Sequence, residues 1–222
     1  MTGVQTCALP IYDNGDIIYL CPGVYVGPFS ATHGDGLTLV GANPRTTIID
    51  GASSGDSTIY IDTNSYFTVQ NLTFRNGYVY DDNEPGAAIH TDNAFTCINS
   101  TFENNVTRNV GGHNGGAVAA DGYGDVSVDR CTFKNNEAAD IGGAIFLGNP
   151  DSDIYRPSFT CTASTFIGNR GTEGYGGGWG GAVYADSNAT INRCSFIGNY
   201  ANYGGALFVG GDLTVQIGRA HV

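Results

Sequence analysis

Side chains suited to metal binding and proton transfer are concentrated in one short stretch, "DDNEPGAAIHTD". Asp81, Asp82 and Glu84 offer the hard oxygen ligands that Ca²⁺ takes. His90 in the same stretch and Arg108 further along the chain offer groups for proton transfer. One hypothesis is therefore a calcium-assisted proton abstraction, whose catalytic residues are Asp81, Asp82, His90 and Arg108. A solvated acidic loop without any ligand explains the same residues, and the sequence leaves both open.

A second group of residues suits binding rather than catalysis. Aromatic side chains end the motifs "GGAIF", "GGAVY" and "GGALF", and a histidine ends the related "GAAIH". The candidate ligand-binding residues are His90, Phe146, Trp179, Tyr184 and Phe208. An exposed row of such rings would stack on the C–H faces of sugar rings. The alternative, that neighbouring loops fold over the rings and cover them, stays open.

The elements that position these residues are set by an internal repeat. The anchors of the repeat are Phe74, Phe102, Phe133, Phe166 and Phe196, with spacings of 28, 31, 33 and 30 residues. Apolar or small residues also precede each anchor by two, five and seven positions. A single strand keeps one parity, because its side chains alternate between faces. The parity break between the positions five and two before the anchor therefore predicts two short strands joined by a bend.

Asparagine marks the two corners of the predicted coil. Asn71, Asn99 and Asn192 are placed in the first bend, where asparagine tolerates turn conformations. A second set of asparagines follows each anchor by three positions and ends the second strand. These residues are Asn105, Asn136, Asn169 and Asn199. A third strand is predicted after a variable loop, at residues 86–90, 115–119, 142–146, 180–184 and 204–208.

Three short strands per repeat, with like residues at like positions, predict an all-β fold: a right-handed, single-stranded parallel β-helix. First strands are expected to start at residues 37, 67, 95, 126, 159, 189 and 213, which gives about six full coils. The stretch 15–29 is interpreted as an entry coil. The variable middle of each repeat then forms a surface loop.

The two ends of the chain differ in origin from the rest. Residues 6–11, "TCALPI", and 217–222, "IGRAHV", can be encoded by DNA segments that are reverse complements of each other. We therefore interpret residues 1–11 and 217–222 as translated adapter sequence. The β-helix domain is expected to occupy residues 12–216 and to be truncated at both ends.

The charge of the chain limits its partners. The formal net charge is −12, and it becomes −13 (8 − 21) once Arg219 is set aside with the tail. A surface with this much negative charge disfavours binding to nucleic acid and to anionic membranes. We expect no nucleic-acid partner and no membrane insertion by this chain.

Five cysteines remain when Cys7 is set aside with the first end. Cys97 and Cys161 share one position of the repeat and Cys131 and Cys194 share another, in each case two coils apart. Disulfides need Cα atoms within about 7 Å, and parallel coils are ~4.8 Å apart. Pairs in adjacent coils, such as Cys97 with Cys131, are offset by three positions, and we expect them to be too far apart as well. The prediction is therefore four buried thiols without disulfides.

The repeats resemble those of known families. "CTFKNN…GGAIF" and "CSFIGN…GGALF" are similar to the repeats of polymorphic outer-membrane proteins, which are autotransporter adhesins. The entry segment "GDIIYLCPGVYVGPF" resembles the pectin-lyase-like superfamily. The resemblance implies an extracellular or bacterial cell-surface location and a non-enzymatic binding module for glycans or cell-surface proteins. The alternative that it implies is a calcium-dependent polysaccharide lyase or, less favoured, a glycoside hydrolase. The binding module requires no cofactor, and Ca²⁺ belongs to the alternative.

Overall fold

The computed structural model describes residues 15–31, 36–52, 55–62, 66–80, 85–108, 115–148, 157–172 and 178–216. All regular structure in these ranges is β-strand. The strands are short and wind in successive coils. The first two coils contain β1 (Asp16–Leu20), β2 (Gly23–Val26), β3 (Phe29–Ala31), β4 (Leu37–Gly41), β5 (Thr47–Asp50) and β6 (Ile59–Ile61).

The middle four coils each contain four strands. The third and fourth coils contain β7 (Tyr66–Gln70), β8 (Thr73–Arg75), β9 (Tyr78–Val79), β10 (Ile89–Thr91), β11 (Ala94–Ile98), β12 (Thr101–Glu103), β13 (Val106–Thr107) and β14 (Val118–Ala120). The fifth and sixth contain β15 (Val126–Asp129), β16 (Thr132–Lys134), β17 (Glu137–Ala138), β18 (Ile145–Leu147), β19 (Phe159–Thr162), β20 (Thr165–Ile167), β21 (Arg170–Gly171) and β22 (Val183–Ala185). The seventh and the beginning of an eighth contain β23 (Ala189–Asn192), β24 (Ser195–Ile197), β25 (Leu207–Val209) and β26 (Leu213–Gln216).

Equivalent strands of successive coils pair in parallel and form the walls of a solenoid. The first sheet has eight strands in the order β1-β4-β7-β11-β15-β19-β23-β26. The second sheet (β2-β5-β8-β12-β16-β20-β24) and the third (β3-β6-β10-β14-β18-β22-β25) have seven strands each. This topology is a parallel β-helix, so the predicted fold and the entry coil are confirmed.

Two details of the predicted coil are wrong. A fourth, short sheet of β9, β13, β17 and β21 lies where the sequence predicted the beginnings of loops. The third strands also start later than expected, as at β18, because the Gly-Gly-Ala segment forms a corner before the strand. Gly142 has a φ of 64°, and a Cβ there would lie 2.3 Å from the carbonyl oxygen of Ile145. The corner therefore requires glycine.

The predicted core ladder is confirmed. Rings of Phe74, Phe102, Phe133, Phe166 and Phe196 stack with centroids 4.8, 4.7, 4.9 and 4.8 Å apart. These distances match the inter-strand spacing, and the rings are nearly parallel, with interplanar angles of 4–9°. The first four rings are completely buried. This column holds the second sheet in register from the third coil to the seventh.

The first corner has a left-handed residue three positions before each anchor phenylalanine. These residues are Asn71, Asn99, Arg130, Ala163 and Arg193, with φ between 45° and 57°. The prediction is confirmed for Asn71 and Asn99 and wrong for Asn192, which ends β23 in extended conformation. The backbone therefore imposes the left-handed turn even where the residue is not asparagine.

The second corner contains a buried asparagine ladder. Asn136 Nδ2 donates to the carbonyl oxygen of Phe102 (3.1 Å) and to Asn169 Oδ1 (2.9 Å). Asn136 Oδ1 accepts from both the backbone N–H (3.1 Å) and Nδ2 (3.0 Å) of Asn105. The same pattern continues to Asn199. These side chains satisfy corner backbone groups that no sheet pairs, since a buried polar group must find a partner.

The prediction that cysteines of adjacent coils are too far apart is wrong. Cys97 Sγ lies 2.8 Å from Cys131 Sγ, and Cys161 Sγ lies 3.1 Å from Cys194 Sγ. The chain turns a corner between the two positions, so inward side chains on either side of that corner converge. The buried, core location of Cys97, Cys131 and Cys161 is as expected, whereas Cys194 packs against the core but is only partly buried.

Candidate functional site

The outer face of the third sheet carries a column of mostly aromatic residues. Tyr60, His90, Ala119, Phe146, Tyr184 and Phe208 occupy equivalent positions in parallel register. Their neighbours along each strand point inward, because side chains alternate between faces. The column therefore stands outside the core, as predicted from the motifs. It divides into a histidine end and an aromatic end.

At the histidine end, two carboxylates meet one imidazole. His90 Nε2 lies 3.1 Å from Asp121 Oδ1 and 3.5 Å from Asp92 Oδ1. The Tyr60 ring packs against the imidazole with centroids 5.1 Å apart. The His90 side chain is 9% exposed, whereas those of Asp92 and Asp121 are 43% and 22% exposed. We call His90, Asp92 and Asp121 the histidine cluster.

Within the histidine cluster, the two carboxylates favour the protonated form of His90. Burial lowers the pKa of His90, but hydrogen bonds to Asp121 and Asp92 and the charges of both carboxylates outweigh burial and raise the pKa to about 9. The hydrogen bond from His90 lowers the pKa of Asp92. His90 Nδ1 is buried without a hydrogen-bond partner. Imidazolium is thus the resting form, which donates a proton more readily than it accepts one.

The donor atoms of the histidine cluster suit a transition metal better than calcium. One ligand atom from each residue lies within 4.8 Å of the other two. A nitrogen with two carboxylate oxygens is a set that Zn²⁺ or Mn²⁺ accepts, whereas Ca²⁺ takes six to eight oxygens. The Ca²⁺ expectation thus does not fit this cluster. The residues predicted to bind Ca²⁺, Asp81, Asp82 and Glu84, lie outside the described residues.

Asp92 and Asp121 lie outside the predicted set, which takes only the aromatic position from the third strands. Each is the first residue after a third strand, and Thr91 and Ala120, which precede them, pair in register. Asp186 follows β22 at the same position of the repeat, after Ala185, which pairs with Leu147. Aligning the repeats two residues beyond His90 would have revealed this carboxylate column.

Arg108, which was also predicted to be catalytic, lies in a different sheet from His90. Arg108 follows β13 in the fourth sheet, and its guanidinium forms an ion pair with Glu137. His90 lies on β10 in the third sheet. The structure describes two of the predicted catalytic residues, His90 and Arg108. These two residues have separate sets of partners.

At the aromatic end, four rings form a connected surface, which we call the aromatic patch: Trp179, Tyr184, Tyr203 and Phe208. Tyr184 and Phe208 are stacked with centroids 5.0 Å apart and an interplanar angle of 6°. Trp179 meets Phe208 edge-on at 4.7 Å and lies beside Tyr203 at 4.7 Å. Tyr203 is 55% exposed, and the other three are partly exposed.

Tyr203 was absent from the predicted set, although the sequence contains a signal for it. Ile141 pairs with Trp179 and Trp179 pairs with Tyr203 as successive bridges. All three directly precede the first glycine of a Gly-Gly-Ala segment. A second column therefore runs beside the first, and its aromatic members complete the patch.

Phe146 does not belong to the exposed surface. Its side chain is 2% exposed, although it stands outside the core cluster, and its ring packs on Tyr184 with centroids 5.6 Å apart. The expectation of an exposed ring is wrong here, and the alternative of a covered ring holds. His90 is likewise 7% exposed. Neither residue therefore presents an exposed ring, and Phe146 supports Tyr184 of the patch.

Carboxylates adjoin the aromatic patch. Burial and the charges of Asp186 and Asp140 raise the pKa of Tyr184. Asp140 is buried and accepts a hydrogen bond from the backbone N–H of Gly178 (3.4 Å), next to Trp179. The patch therefore combines flat apolar rings with acceptor oxygens, the combination that a sugar ring with its hydroxyl groups requires.

The fold defines a parallel β-helix protein, and these columns form a candidate site on its third sheet. The family described as "Right handed beta helix region" matches residues 41–217, and the chain belongs to this family. Comparison with curated proteins and with solved structures gave no match. The described part of the chain contains strands only, and hence no apolar helix of membrane-spanning length.

Proposed function

We propose that this chain is a secreted or surface-displayed binding module of the adhesin type, which holds a glycan, free or on a cell-surface partner, without catalysis. The observation that carries the proposal is the aromatic patch. Stacked rings such as Tyr184 and Phe208 offer a flat apolar surface for the C–H face of a pyranose. Trp179 and Tyr203 extend that surface sideways.

Preorganisation supports the proposal. Tyr184 and Phe208 stand on paired strands, Tyr184 stacks on the buried Phe146 and Phe208 stacks on Tyr184, so few rotamers remain to be frozen on binding. Partly exposed carboxylate oxygens such as those of Asp186 would accept hydrogen bonds from sugar hydroxyls. The net charge of −12 favours a neutral glycan over a polyanionic one.

Trp179 is the single tryptophan of the chain, so its fluorescence reports on the patch. Titration of the full chain with neutral oligosaccharides, selected on a glycan array, is expected to shift this emission saturably. Tyr203→Ala and Phe208→Ala are each expected to weaken binding about tenfold, the effect of losing one anchoring ring. Calorimetry measures the same affinities and extends the test to Trp179→Ala.

Tyr80→Ala is the matched control, because Tyr80 is 73% exposed but lies outside the patch. It is expected to bind like the parent chain. If no glycan on the array binds, or if Tyr80→Ala weakens binding as much as Tyr203→Ala, the proposal fails.

A second candidate function, polysaccharide lyase activity, is favoured by one observation: His90 lies against two carboxylates. Proton abstraction from sugar C5 needs a neutral base. Because the pKa of His90 is raised to about 9, only a minority of molecules have a neutral imidazole at pH 7. Lyase activity thus requires alkaline conditions, and it can be tested separately from glycan binding.

A lyase product is an unsaturated sugar that absorbs in the ultraviolet. With a uronate polymer and either Ca²⁺ or Mn²⁺, absorbance is expected to rise only as the pH passes about 9, and His90→Gln is expected to abolish the rise. Absence of product at every pH with both ions rejects lyase activity and leaves the binding module untouched.

A further inference from the structure

Two pairs of thiols meet inside the solenoid. The Sγ atoms of Cys97 and Cys131 are 2.8 Å apart, and those of Cys161 and Cys194 are 3.1 Å apart. Even two carbon atoms, which are smaller, prefer a separation of about 3.5–4.0 Å. The distances exceed a disulfide bond of ~2.04 Å by only about 1 Å. A small side-chain movement therefore closes either pair.

The repeat places the pairs by a rule. Five positions before the anchor phenylalanine, successive coils carry Val69, Cys97, Val128, Cys161 and Ile191. Two positions before it, they carry Leu72, Ser100, Cys131, Ser164 and Cys194. A coil with cysteine at the first position has serine at the second, and the following coil has the partner cysteine. The rule holds twice in the chain, so each contact joins one coil to the next.

Serine and cysteine alternate at the position two before the anchor, from Ser100 to Cys194, and the serines form hydrogen bonds there. Ser164 Oγ accepts a hydrogen bond from the backbone N–H of Cys131 (3.0 Å) and donates to the carbonyl oxygen of Thr162 (2.8 Å). Ser100 Oγ makes the equivalent bonds to Leu72 and Ile98. The corner position is thus used for a hydrogen bond in one coil and for a sulfur contact in the next.

We propose that Cys97–Cys131 and Cys161–Cys194 are sites of disulfide formation, which link the fourth coil to the fifth and the sixth to the seventh. The oxidant is a disulfide compound, such as an oxidised dithiol catalyst or glutathione disulfide. One cysteine thiolate attacks the oxidant and releases one thiol, and the second cysteine attacks the mixed disulfide and releases the other. Two thiols of the chain are oxidised and one disulfide of the oxidant is reduced.

The two pairs differ in access. Cys97, Cys131 and Cys161 are buried, whereas Cys194 is partly exposed. The hydrogen bond from Cys161 lowers the pKa of Cys194 to about 7, so a large thiolate fraction is present at neutral pH. Cys194 is therefore the attacking thiolate in the folded protein. The pair Cys97–Cys131, in which both cysteines are buried, closes slowly in the folded protein and mainly while the coils assemble.

Peptide mapping tests the pairing directly. The full chain is produced by export to an oxidising compartment, unfolded in urea with N-ethylmaleimide, and digested with trypsin without reduction. Cleavage after Arg108, Arg130, Lys134 and Arg193 places the four cysteines on separate peptides. Two linked peptide pairs are expected, 97 with 131 and 161 with 194. Four alkylated cysteines, or any other pairing, would overturn the proposal.

A second measurement tests the difference in access. Chain purified under reduction and then treated, while folded, with glutathione disulfide is expected to close Cys161–Cys194 within minutes and Cys97–Cys131 at least tenfold more slowly. Cys161→Ser is expected to leave a glutathione adduct on Cys194 instead. Closure of both pairs at equal rates contradicts the proposed order of access.

Thermal unfolding gives an independent readout. Reductant is expected to lower the melting temperature of the oxidised chain by roughly 5–15 °C. Cys21→Ser, which removes a cysteine of the first coil, is the matched control and is expected to behave like the parent. An unchanged melting temperature on reduction would contradict a stabilising link. None of these outcomes depends on glycan binding, so this inference and the proposed function fail separately.

Discussion

His90 is the residue at which burial and charge are most strongly opposed. Its imidazole is buried, yet hydrogen bonds to Asp121 and Asp92 and the charges of both carboxylates raise its pKa to about 9. The charged group stays buried because both carboxylates pair with it. The stability of the third and fourth coils should therefore depend on pH.

The sign of this dependence follows from the direction of the shift. The folded pKa of about 9 exceeds the ordinary histidine value of 6.5, so the stabilisation is complete below pH 6.5 and is lost as the pH rises through 9. The loss amounts to about 3 kcal/mol. The pKa of Asp92 is lowered, so Asp92 stabilises the fold at pH values above the ordinary aspartate pKa. This stabilisation is lost as the pH falls through the lowered pKa.

Urea unfolding of the parent chain and of His90→Gln at pH 6 and at pH 10 measures the effect. At pH 6 the parent should be the more stable of the two, and at pH 10 this advantage should shrink by about 3 kcal/mol. Tyrosines and thiols titrate alike in both chains, so the comparison isolates His90. An advantage that stays constant with pH would mean that His90 is neutral in the fold.

At the scale of the element, the Gly-Gly-Ala corner controls how closely coils approach. The second glycine faces the next coil: a Cβ at Gly143 would lie 2.1 Å from the carbonyl oxygen of Gly181. Gly205 occupies the same position in the seventh coil, and a Cβ there would meet nothing within 4 Å. The repeat therefore contains its own matched control.

Gly143→Ala should destabilise the chain by ~2–4 kcal/mol, because adjacent backbones must separate to admit the methyl group. Gly205→Ala should change the stability by less than about 0.5 kcal/mol. Thermal unfolding of the two variants, with far-ultraviolet circular dichroism as the signal, measures both. Equal destabilisation of the two variants would contradict the role of inter-coil contact at this position.

The other corners use side chains instead of close approach. The Asn105–Asn136–Asn169–Asn199 ladder satisfies backbone groups between sheets, and each bond joins one coil to the next. Such bonds, the phenylalanine column and the cysteine pairs all act between neighbours. The stability of the solenoid is accordingly a sum over adjacent coils.

At the scale of the whole molecule, charge decides which glycans can approach. The chain carries 21 acidic and 9 basic residues. Repulsion of a polyanion weakens as salt shortens the Debye length from about 30 Å at 0.01 M to about 8 Å at 0.15 M. Neutral ligands do not experience this repulsion.

Affinity measured at both salt concentrations distinguishes these ligands. A neutral glycan should bind with the same Kd at 0.01 M and 0.15 M salt, and any residual binding of a uronate polymer should strengthen with salt. Calorimetry provides both values. A uronate polymer that binds more tightly at low salt would indicate a basic site and contradict the proposed partner class.

The sequence alone determined the winding of the chain. The parity break before each anchor phenylalanine and the recurrence of Gly-Gly-Ala specified three of the strands in each coil and their order, because a repeat buries its apolar face only against a copy of itself. The stacked rings from Phe74 to Phe196 are the direct result. The local sequence pattern was sufficient to predict this column because each ring contact joins equivalent positions of successive repeats.

Only the tertiary structure decided which non-equivalent positions meet. The Cys97–Cys131 contact and the approach of Asp121 to His90 both cross a corner and a coil boundary at once. Their distances depend on how sharply the backbone turns, which a linear count of residues does not contain. The cover over Phe146 and the exposure of Tyr203 likewise result from packing around the strand and not from the strand pattern.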